Sequence, residues 1–305
     1  MNRIKIANCD LDVSEISLGC MRIAALENQE ISTLIHTALD EGINFFDHAD
    51  IYGGGQSEAK FAEALDMTPG LREKMILQSK CGIREGFFDF SKEHILASVD
   101  GSLKRLQTDF IDVLLLHRPD TLVEPEEVAE AFKILQDSGK VRHFGVSNQN
   151  PMQIELLSKY VTQPIIINQL QLSITNTGMI DAGFNVNMEI DSSIDRDGGI
   201  LDYCRLKEIT IQTWSPFQYG FFEGVFLDND KFPELNQKID EIALSRAVTN
   251  SAIAVAWLLR HPAQMQPVVG TTNPGRVRDI CKASDVKLSR REWYEIYRAA
   301  GNKLP

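Results

Sequence analysis

The sequence predicts an α/β fold of the (β/α)8 TIM-barrel type, with a short N-terminal β-hairpin and an extra C-terminal helix. Short apolar or β-branched runs alternate with longer stretches of helical periodicity along all 305 residues. Eight such strand and helix units fit a chain of this length. Several of the runs, above all Ile111–Leu116, are almost continuously apolar, which is typical of parallel strands covered on both faces.

The predicted elements follow one another in a regular order. The segment Arg3–Val13 is expected to form a two-stranded piece that closes the lower end of the barrel, and Lys287–Leu304 is expected to hold the extra helix. The predicted strands are Glu15–Leu18, Ile43–Phe46, Met75–Ser79, Ile111–Leu116, Val141–Val146, Ile165–Asn168, Ile209–Thr213 and Pro267–Val269. The predicted helices are Gln29–Glu41, Ser57–Leu65, Ser91–Leu106, Pro125–Ser138, Pro151–Tyr160, Gly199–Glu208, Asn250–Arg260 and Pro274–Ala283.

Local signals support some of these boundaries. Ser91 and the pairs Asn150-Pro151 and Asn273-Pro274 are typical helix starts, because a short polar side chain caps free backbone N–H groups and proline fits the first turn. Ser57 is expected to cap the helix that follows the glycine turn Gly53–Gly55. Two long connections, Gln171–Gly198 and Pro216–Asn236, are expected to shape a site above the barrel. Because no Pro/Gly/Ser-rich linker divides the chain, we expect one domain over residues 1–305.

Composition limits the possible partners and the compartment. Lys and Arg total 31 against 43 Asp and Glu, and the net charge of −12 disfavours nucleic acid and anionic membrane surfaces. The five cysteines are widely spaced without a Cys-x-x-Cys pair, which argues against a disulfide framework and a structural zinc site. The N-terminus lacks an apolar run of signal-peptide length, so a cytoplasmic location is predicted.

Polar or glycine residues follow all the predicted strands except the seventh, which is followed by a tryptophan. In a TIM barrel the carboxyl ends of the strands converge on one rim, where the chemistry takes place. The residues at these ends are Gly19, Asp47, Lys80, His117, Ser147 with Asn148, Gln169, Trp214, and Gly270 with Thr271. Any one of them could be an ordinary turn residue, but their convergence predicts a site.

Four of the residues at or near the rim could work together as a proton donor. The ordinary pKa of tyrosine is about 10, so a catalytic Tyr52 needs a neighbour that stabilises its phenolate. Lys80 would supply that charge, and Asp47 would hold the ammonium group by an ion pair. His117 could hydrogen-bond a substrate oxygen. Taken one at a time, the same residues could equally form a structural ion pair, a packed rim tyrosine and a buried histidine.

The motifs around these residues resemble those of the aldo-keto reductase superfamily over essentially the whole chain. The matching segments are Asp47–Gly53, the strand ending in Lys80, Leu115–Asp120, Gly145–Asn148, Asn168-Gln169, Trp214–Pro216, and Val269–Pro274 with Arg276. The resemblance implies a (β/α)8 barrel that reduces aldehydes or ketones with NADPH and without a metal. It implies that Tyr52 is the proton donor, that Lys80 and Asp47 tune it, and that His117 orients the carbonyl group.

The same resemblance implies a nicotinamide cofactor site. Ser147, Asn148 and Gln169 match positions that hydrogen-bond the carboxamide, and Trp214 matches the aromatic position that stacks on the nicotinamide ring. The other positions assigned to the cofactor are Gly19, Met21, Ser215, Pro216, Phe217, Gly220, Gly270, Thr271, Thr272, Asn273 and Arg276. Within Pro216–Gly224, aromatic residues replace the glycines usual in the family loop over the pyrophosphate.

Charge at the last strand end bears on the choice of nucleotide. A helix N-terminus at Asn273-Pro274 and the hydroxyls of Thr271 and Thr272 suit phosphate, and Arg276 could grip an adenosine 2′-phosphate. NADPH (NADP+ when oxidised) is therefore expected in preference to NADH. Gly270 stands where many NADPH-preferring relatives have lysine, so one phosphate contact of the family is missing.

Other functions and the substrate are less constrained by the sequence. The Asp47-His48-x-Asp50 cluster also suggests a metal-dependent barrel hydrolase, but no His-x-His or His-Glu-x-x-His spacing accompanies it. A redox-sensing subunit that binds the cofactor but turns over slowly is the second alternative. The loops suggest either ring-bearing carbonyl substrates, from their aromatics, or anionic ones, from Arg22 and Arg118. The expected partner is a small-molecule carbonyl compound, and a monomer or weak homo-oligomer is predicted.

Overall fold

Eight parallel strands close into a barrel, which confirms the predicted fold class. The computed structural model describes residues 1–6 and 8–305. In chain order the barrel strands are Ser17–Gly19, Phe45–Asp47, Ile76–Cys81, Ile111–Leu116, Val141–Ser147, Ile165–Gln171, Thr210–Trp214 and Gln266–Val269. The eighth strand pairs in parallel with the first, with Val268 opposite Ser17, so the barrel sheet has no free edge.

Helices cover the outside of the barrel because each has one apolar face. In Asn28–Asp40, for example, Ile31, Leu34, Ile35 and Ala38 follow the helical period and are buried. The α-helices are Asn28–Asp40, Gln56–Leu65, Pro69–Arg72, Lys92–Leu106, Pro125–Asp137, Pro151–Ser158, Gly178–Phe184, Ile200–Leu206, Pro233–Arg246, Asn250–Leu259, Pro274–Cys281 and Arg290–Ala299. The last of these is the extra C-terminal helix that the sequence predicts.

An N-terminal hairpin closes the lower end of the barrel, as predicted. Arg3–Lys5 pairs antiparallel with Asp12–Ser14, and the buried side chains of Ile6, Leu11 and Val13 project from this segment. They form a separate apolar cluster with the buried side chains of Phe45, Val113, Leu115, Ile166 and Ile167. Apolar side chains therefore fill much of the lower end of the barrel.

Three predicted helix starts are confirmed by their capping geometry, and one is wrong. The side chains of Ser91, Asn150 and Asn273 each accept a hydrogen bond from a backbone N–H in the first turn of their helix. Ser57 is not a cap, because its helix begins at Gln56 after Gly55, whose φ is +88°. The Ser57 hydroxyl instead donates to the carbonyl oxygen of Met21, and so joins this helix to the loop after the first strand.

The long connections contain more regular structure than predicted. The segment taken as the loop Pro216–Asn236 holds a small hairpin, Gln218–Tyr219 with Gly224–Val225, and the start of the helix Pro233–Arg246. The helix Gly178–Phe184 lies within Gln171–Gly198. The signal for Pro233–Arg246 was present in the sequence: proline occupies its first turn, and Leu235, Ile239, Ile242 and Ala243 recur at helical spacing on its buried face.

The helix Asn250–Leu259 is almost entirely buried inside the fold. Its Trp257 ring stacks on Trp293 of the C-terminal helix with centroids 4.7 Å apart, and each indole N–H donates to the other residue's carbonyl oxygen.

In the described part of the chain, no single helix is long and apolar enough to span a membrane. The helices Pro233–Arg246 and Asn250–Leu259 are long and apolar enough only when they are taken together, and they are bent by 95° relative to each other.

Substitution of Gly145 by alanine should destabilise the barrel. A Cβ on Gly145, in the fifth strand, would lie 2.6 Å from Leu115 Cδ2 and 2.7 Å from the Ile167 carbonyl oxygen. Because the second contact is with backbone, neighbouring strands must shift, and we expect a loss of about 2 kcal/mol in the free energy of unfolding, measured with denaturant. Gly183→Ala is the control, since its Cβ meets nothing within 4 Å. Equal stability of the two variants would contradict the prediction.

Candidate active site

A cavity of about 750 Å³ opens at the carboxyl ends of the barrel strands. It lies where the chemistry of TIM barrels takes place. Most of the predicted site residues line it, namely Gly19, Met21, Arg22, Asp47, Tyr52, His117, Arg118, Ser147, Asn148, Gln169, Trp214, Ser215, Pro216, Phe217, Gly270, Thr271 and Arg276. Four predicted residues are not part of its wall: Lys80, Gly220, Thr272 and Asn273.

Asp47, Lys80 and Tyr52 meet at the floor of this cavity. Asp47 ends the second strand, Lys80 lies in the third, and Tyr52 opens a 3₁₀ turn five residues after Asp47. The Lys80 Nζ lies 2.7 and 2.8 Å from the two Asp47 carboxylate oxygens and 3.0 Å from the Tyr52 Oη. It also donates to the His48 carbonyl oxygen at 2.8 Å. The three side chains therefore form one hydrogen-bonded cluster, with Lys80 completely buried.

The surroundings of this cluster set its protonation. Burial alone would lower the pKa of Lys80, but the Asp47 carboxylate and Tyr52 raise it above its ordinary value. Burial raises the pKa of Tyr52, while the Lys80 ammonium opposes that rise. At neutral pH the cluster consequently contains an ammonium group beside a protonated phenol, and the lysine stabilises the phenolate that remains when the phenol gives up its proton.

His117 stands beside Tyr52 on the cavity wall. It follows the fourth strand, and its ring packs edge-on against the Tyr52 ring with centroids 5.9 Å apart. Burial, with further contributions from Lys80 and Arg118, lowers the pKa of His117 well below its ordinary value. The imidazole is therefore neutral, and it can donate one hydrogen bond without carrying a charge.

A chain of buried glutamine side chains holds the Asp47 carboxylate from below. Gln78 and Gln169 each donate to Asp47 Oδ1, and both also donate to the side-chain oxygen of Gln212 at 2.8–2.9 Å. Gln212 in turn donates to Gln266, which donates to the carbonyl oxygen of Ser14 in the N-terminal hairpin. The hydrogen bonds run without interruption from the active-site carboxylate to the closed end of the barrel.

Of these four glutamines, only Gln169 was predicted from the sequence as a site residue, and Gln78, Gln212 and Gln266 were missed. A signal for Gln78 was available, because it precedes Lys80 by two residues on the same strand and so faces the same way. An amide inside a buried strand also predicts a buried hydrogen-bonding partner. What the sequence could not show is that strands three, six, seven and eight bring these amides together.

The residues predicted to bind the carboxamide form a second hydrogen-bonded group. Ser147 donates to the Gln169 carbonyl oxygen at 2.9 Å, Asn148 donates to Ser147 Oγ at 2.7 Å, and the Trp214 indole donates to Asn148 Oδ1 at 3.1 Å. Because the Gln169 amide nitrogen is occupied by Asp47 and Gln212, its oxygen remains as the acceptor for a ligand. Trp214 itself packs against Phe222, with ring centroids 5.8 Å apart.

The end of the eighth strand supplies hydroxyl and guanidinium groups. Asn273 caps the helix Pro274–Cys281 by accepting from the Arg276 N–H, and its own N–H donates to Thr271 Oγ1. This use as a cap explains why Asn273 is absent from the cavity wall. The Arg276 side chain is exposed, and within the described residues it has no acidic partner. A side chain added at Gly270 would meet nothing within 4 Å.

The connection after the seventh strand differs from expectation in two ways. Gly220, predicted to contact the cofactor, lies outside the cavity wall, and its carbonyl oxygen accepts from the Gln171 side chain at 2.7 Å. Phe222 is not among the predicted cofactor positions but is one of the loop aromatics that suggested a ring-bearing substrate, and it lines the cavity with a φ of +60°. Other lining residues that were missed are Gln218 and Val225 of the newly found hairpin, Asp228 in the turn that follows it, and Asn250 and Ser251 at the start of the helix Asn250–Leu259.

The acidic and histidine cluster that suggested a metal site does not assemble. His48 is buried beside Phe61, with ring centroids 4.6 Å apart, and burial lowers its pKa to about 3. Burial, and then the nearby Glu58, raise the pKa of Asp50 to about 6. Among residues 1–6 and 8–305, no group of three or more His, Cys, Asp and Glu side chains is arranged to hold a metal ion.

The fold and the site together define a barrel enzyme with an ammonium-supported tyrosine at the floor of its cavity. The chain belongs to the Aldo/keto reductase family, whose sequence model matches residues 15–300. This membership confirms the resemblance found in the sequence motifs. It assigns the chain to the oxidoreductases that act on carbonyl groups.

Individual relatives agree with this assignment. The uncharacterized oxidoreductase YcsN of Bacillus subtilis is 38% identical over 320 aligned residues that cover all of both chains. The 6-dehydroglucose reductase of Agrobacterium fabrum is 34% identical, with 99% of each chain covered. A crystal structure of the thermostable aldo-keto reductase Tm1743 with the inhibitor epalrestat superposes with a TM-score of 0.79 at 25% identity, covering 98% of this chain and all of the other.

Asp50→Asn should stabilise the protein at high pH. The pKa of Asp50 is raised to about 6 in the folded state from 3.8, so folding favours its protonated form and stability falls as the pH rises through this range. The neutral amide should add about 2 kcal/mol to the free energy of unfolding at pH 8, and this gain should vanish near pH 4. Denaturant unfolding at both pH values tests this, with the exposed Asp240→Asn as control. A gain that is independent of pH would contradict the assigned pKa.

Proposed function

We propose that this protein is an NADPH-dependent reductase that converts an aldehyde or ketone into an alcohol, with Tyr52 as the proton donor. The observation that carries the proposal is the 3.0 Å contact between Lys80 Nζ and Tyr52 Oη at the floor of the cavity. A tyrosine with a buried ammonium partner is a group that can release a proton to an oxygen and remain stabilised as phenolate.

Each residue of the cluster has a distinct part in the proposed reaction. When bound, the nicotinamide supplies the hydride that reduces the carbonyl carbon. Tyr52 gives its phenol proton to the carbonyl oxygen, and Lys80 stabilises the negative charge left on the phenolate. Asp47 keeps Lys80 charged and fixed in position by contacting its Nζ with both carboxylate oxygens. Neutral His117 donates a hydrogen bond that orients the substrate oxygen.

The residues around the cavity suit a nicotinamide dinucleotide. The free oxygen of Gln169 can accept from a carboxamide, and the Ser147–Asn148–Trp214 group offers further polar atoms beside an aromatic ring. At the opposite side, Thr271 and the N-terminus of the helix Pro274–Cys281 offer donors for phosphate. Exposed Arg276 can pair with a 2′-phosphate, which supports NADPH over NADH.

The remaining features of the proposal rest on the fold and the composition. We propose that residues 1–305 act as one domain, since helices and both terminal segments pack on a single barrel. With a net charge of −12, the expected partner is a small carbonyl compound rather than nucleic acid or membrane, in the cytoplasm. A monomer or weak homo-oligomer is expected. The intact Tyr52–Lys80 contact favours turnover over a purely redox-sensing role.

Tyr52→Phe should remove at least about 99% of the turnover number while the nicotinamide nucleotide still binds, because only the transferable proton is lost. NADPH oxidation measured with an aldehyde panel gives the rate. Tryptophan quenching gives the affinity, since Trp214 lines the cavity and the other two tryptophans are buried against each other. Turnover at the level of the unmodified enzyme would refute Tyr52 as the proton donor.

Arg276→Ala should weaken NADPH binding about tenfold or more and NADH binding much less, because only NADPH carries the 2′-phosphate. Gly270→Lys should have the opposite effect, since the added side chain has room and brings a second cation to the same strand end. Arg290→Ala, an exposed arginine in the C-terminal helix, controls for the loss of charge. Equal weakening of both nucleotides by Arg276→Ala would show that this residue does not touch the 2′-phosphate.

A further inference from the structure

Arg118 is a half-buried cation on the cavity wall without an acidic partner. It follows His117 after the fourth strand, and its guanidinium lies 5.6 Å from the ring of Trp214, which ends the seventh strand. The side chain thus reaches across the barrel mouth above the catalytic cluster. Within the described residues, the guanidinium forms neither an ion pair nor a hydrogen bond with another side chain or with the backbone.

Other arginines with restricted exposure are paired. Arg72 binds Asp112, Arg105 binds Glu58, and Arg246 binds Glu292. This is the usual arrangement, because desolvating a guanidinium costs free energy that an anion recovers. In a chain with 43 acidic residues against 31 basic ones, Arg118 is the exception among the described arginines of restricted exposure, since the unpaired Arg22 and Arg276 are exposed.

The two acidic side chains that line the cavity, Asp47 and Asp228, already have other hydrogen-bond or ion-pair partners. The carboxylate of Asp47 is held by Lys80 and by two glutamines below it. Asp228 accepts a hydrogen bond from Asn250. Arg22, after the first strand, adds a second positive charge to the same wall. The part of the cavity beside Tyr52 and His117 is therefore positively charged, although the whole protein is acidic.

We propose that Arg118 binds a carboxylate of the substrate, so that the protein reduces oxo-acids, meaning aldehydes or ketones that also carry a carboxylate group. This inference rests on the proposed function, since it names the substrate class of the same site. Arg118 and His117 are consecutive residues, so a substrate held by its carboxylate at Arg118 presents its carbonyl group beside His117 and Tyr52. The guanidinium can bind both oxygens of a carboxylate at once, which fixes orientation as well as affinity.

The aromatic side chains on the same wall describe the rest of the substrate. Trp214 and Phe222 lie together on the wall and leave an apolar surface beside the guanidinium. An oxo-acid with a ring or an apolar segment between its two functional groups would use both features. A sugar without charge would leave the guanidinium unpaired.

Matched substrates test the proposal directly. The probes are 4-carboxybenzaldehyde, its methyl ester and benzaldehyde, which share the aldehyde and the ring and differ in charge. We expect kcat/KM for the carboxylate to exceed that for the ester by at least about tenfold. In Arg118→Met this ratio should fall to about one, mainly through KM, and Arg118→Lys should restore part of it because the charge returns without the planar fork. Arg290→Met should leave the ratio as it is in the unmodified protein.

A binding measurement separates this proposal from the proposed reaction. Benzoate and benzamide are titrated into the protein without turnover, with tryptophan fluorescence as the readout because Trp214 contacts Arg118. Benzoate should bind more tightly than benzamide, and Arg118→Met should abolish the difference. If benzoate binds in this way but no aldehyde is reduced, the anion site stands and the proposed reaction falls. If the ester is reduced as well as the carboxylate, or benzoate binding is unaffected by Arg118→Met, the proposal is overturned.

Discussion

The buried ion pair between Asp47 and Lys80 is the constraint on which the rest of the site depends. A lysine ammonium without any exposure is stable only if a carboxylate and further acceptors replace its lost water. Asp47 supplies the carboxylate, and the carbonyl oxygen of His48 and the hydroxyl of Tyr52 supply the remaining acceptors. The position of Tyr52 therefore follows from the hydrogen bonds that Lys80 needs, and this one requirement links the second and third strands to the turn between them.

The same pair sets the electrostatics of the cavity. Burial is the main reason that the imidazole of His117 stays neutral, and the positive charges of Lys80 and Arg118 lower its pKa further. The site thus combines one ammonium, one phenol and one uncharged donor on a wall that is positive relative to the acidic exterior. This positive electrostatic potential favours the accumulation of negative charge on a substrate oxygen.

Most of the barrel could be predicted from the sequence because its determinants are local. Apolar runs such as Ile111–Leu116 and caps such as Asn150 specify strands and helix starts within a few residues. The four proposed catalytic residues could be predicted because parallel strand ends converge in any closed barrel. The helix Pro233–Arg246 was missed although its determinants, the proline in its first turn and its apolar spacing, are local as well. The partners of Gln78 and Gln212 could not be predicted, since they depend on strand register around the whole barrel.

The glutamine chain beneath Asp47 has a consequence for where protons can travel. Side-chain amides neither gain nor lose a proton in the pH range where proteins are folded, unlike the carboxylates or imidazoles that form proton relays in other enzymes. The glutamine chain from Asp47 to Ser14 thus supports the carboxylate by hydrogen bonds but does not transfer protons. In the proposed reaction, the proton that restores the Tyr52 phenol must come from the open mouth of the barrel, since the floor is closed to it.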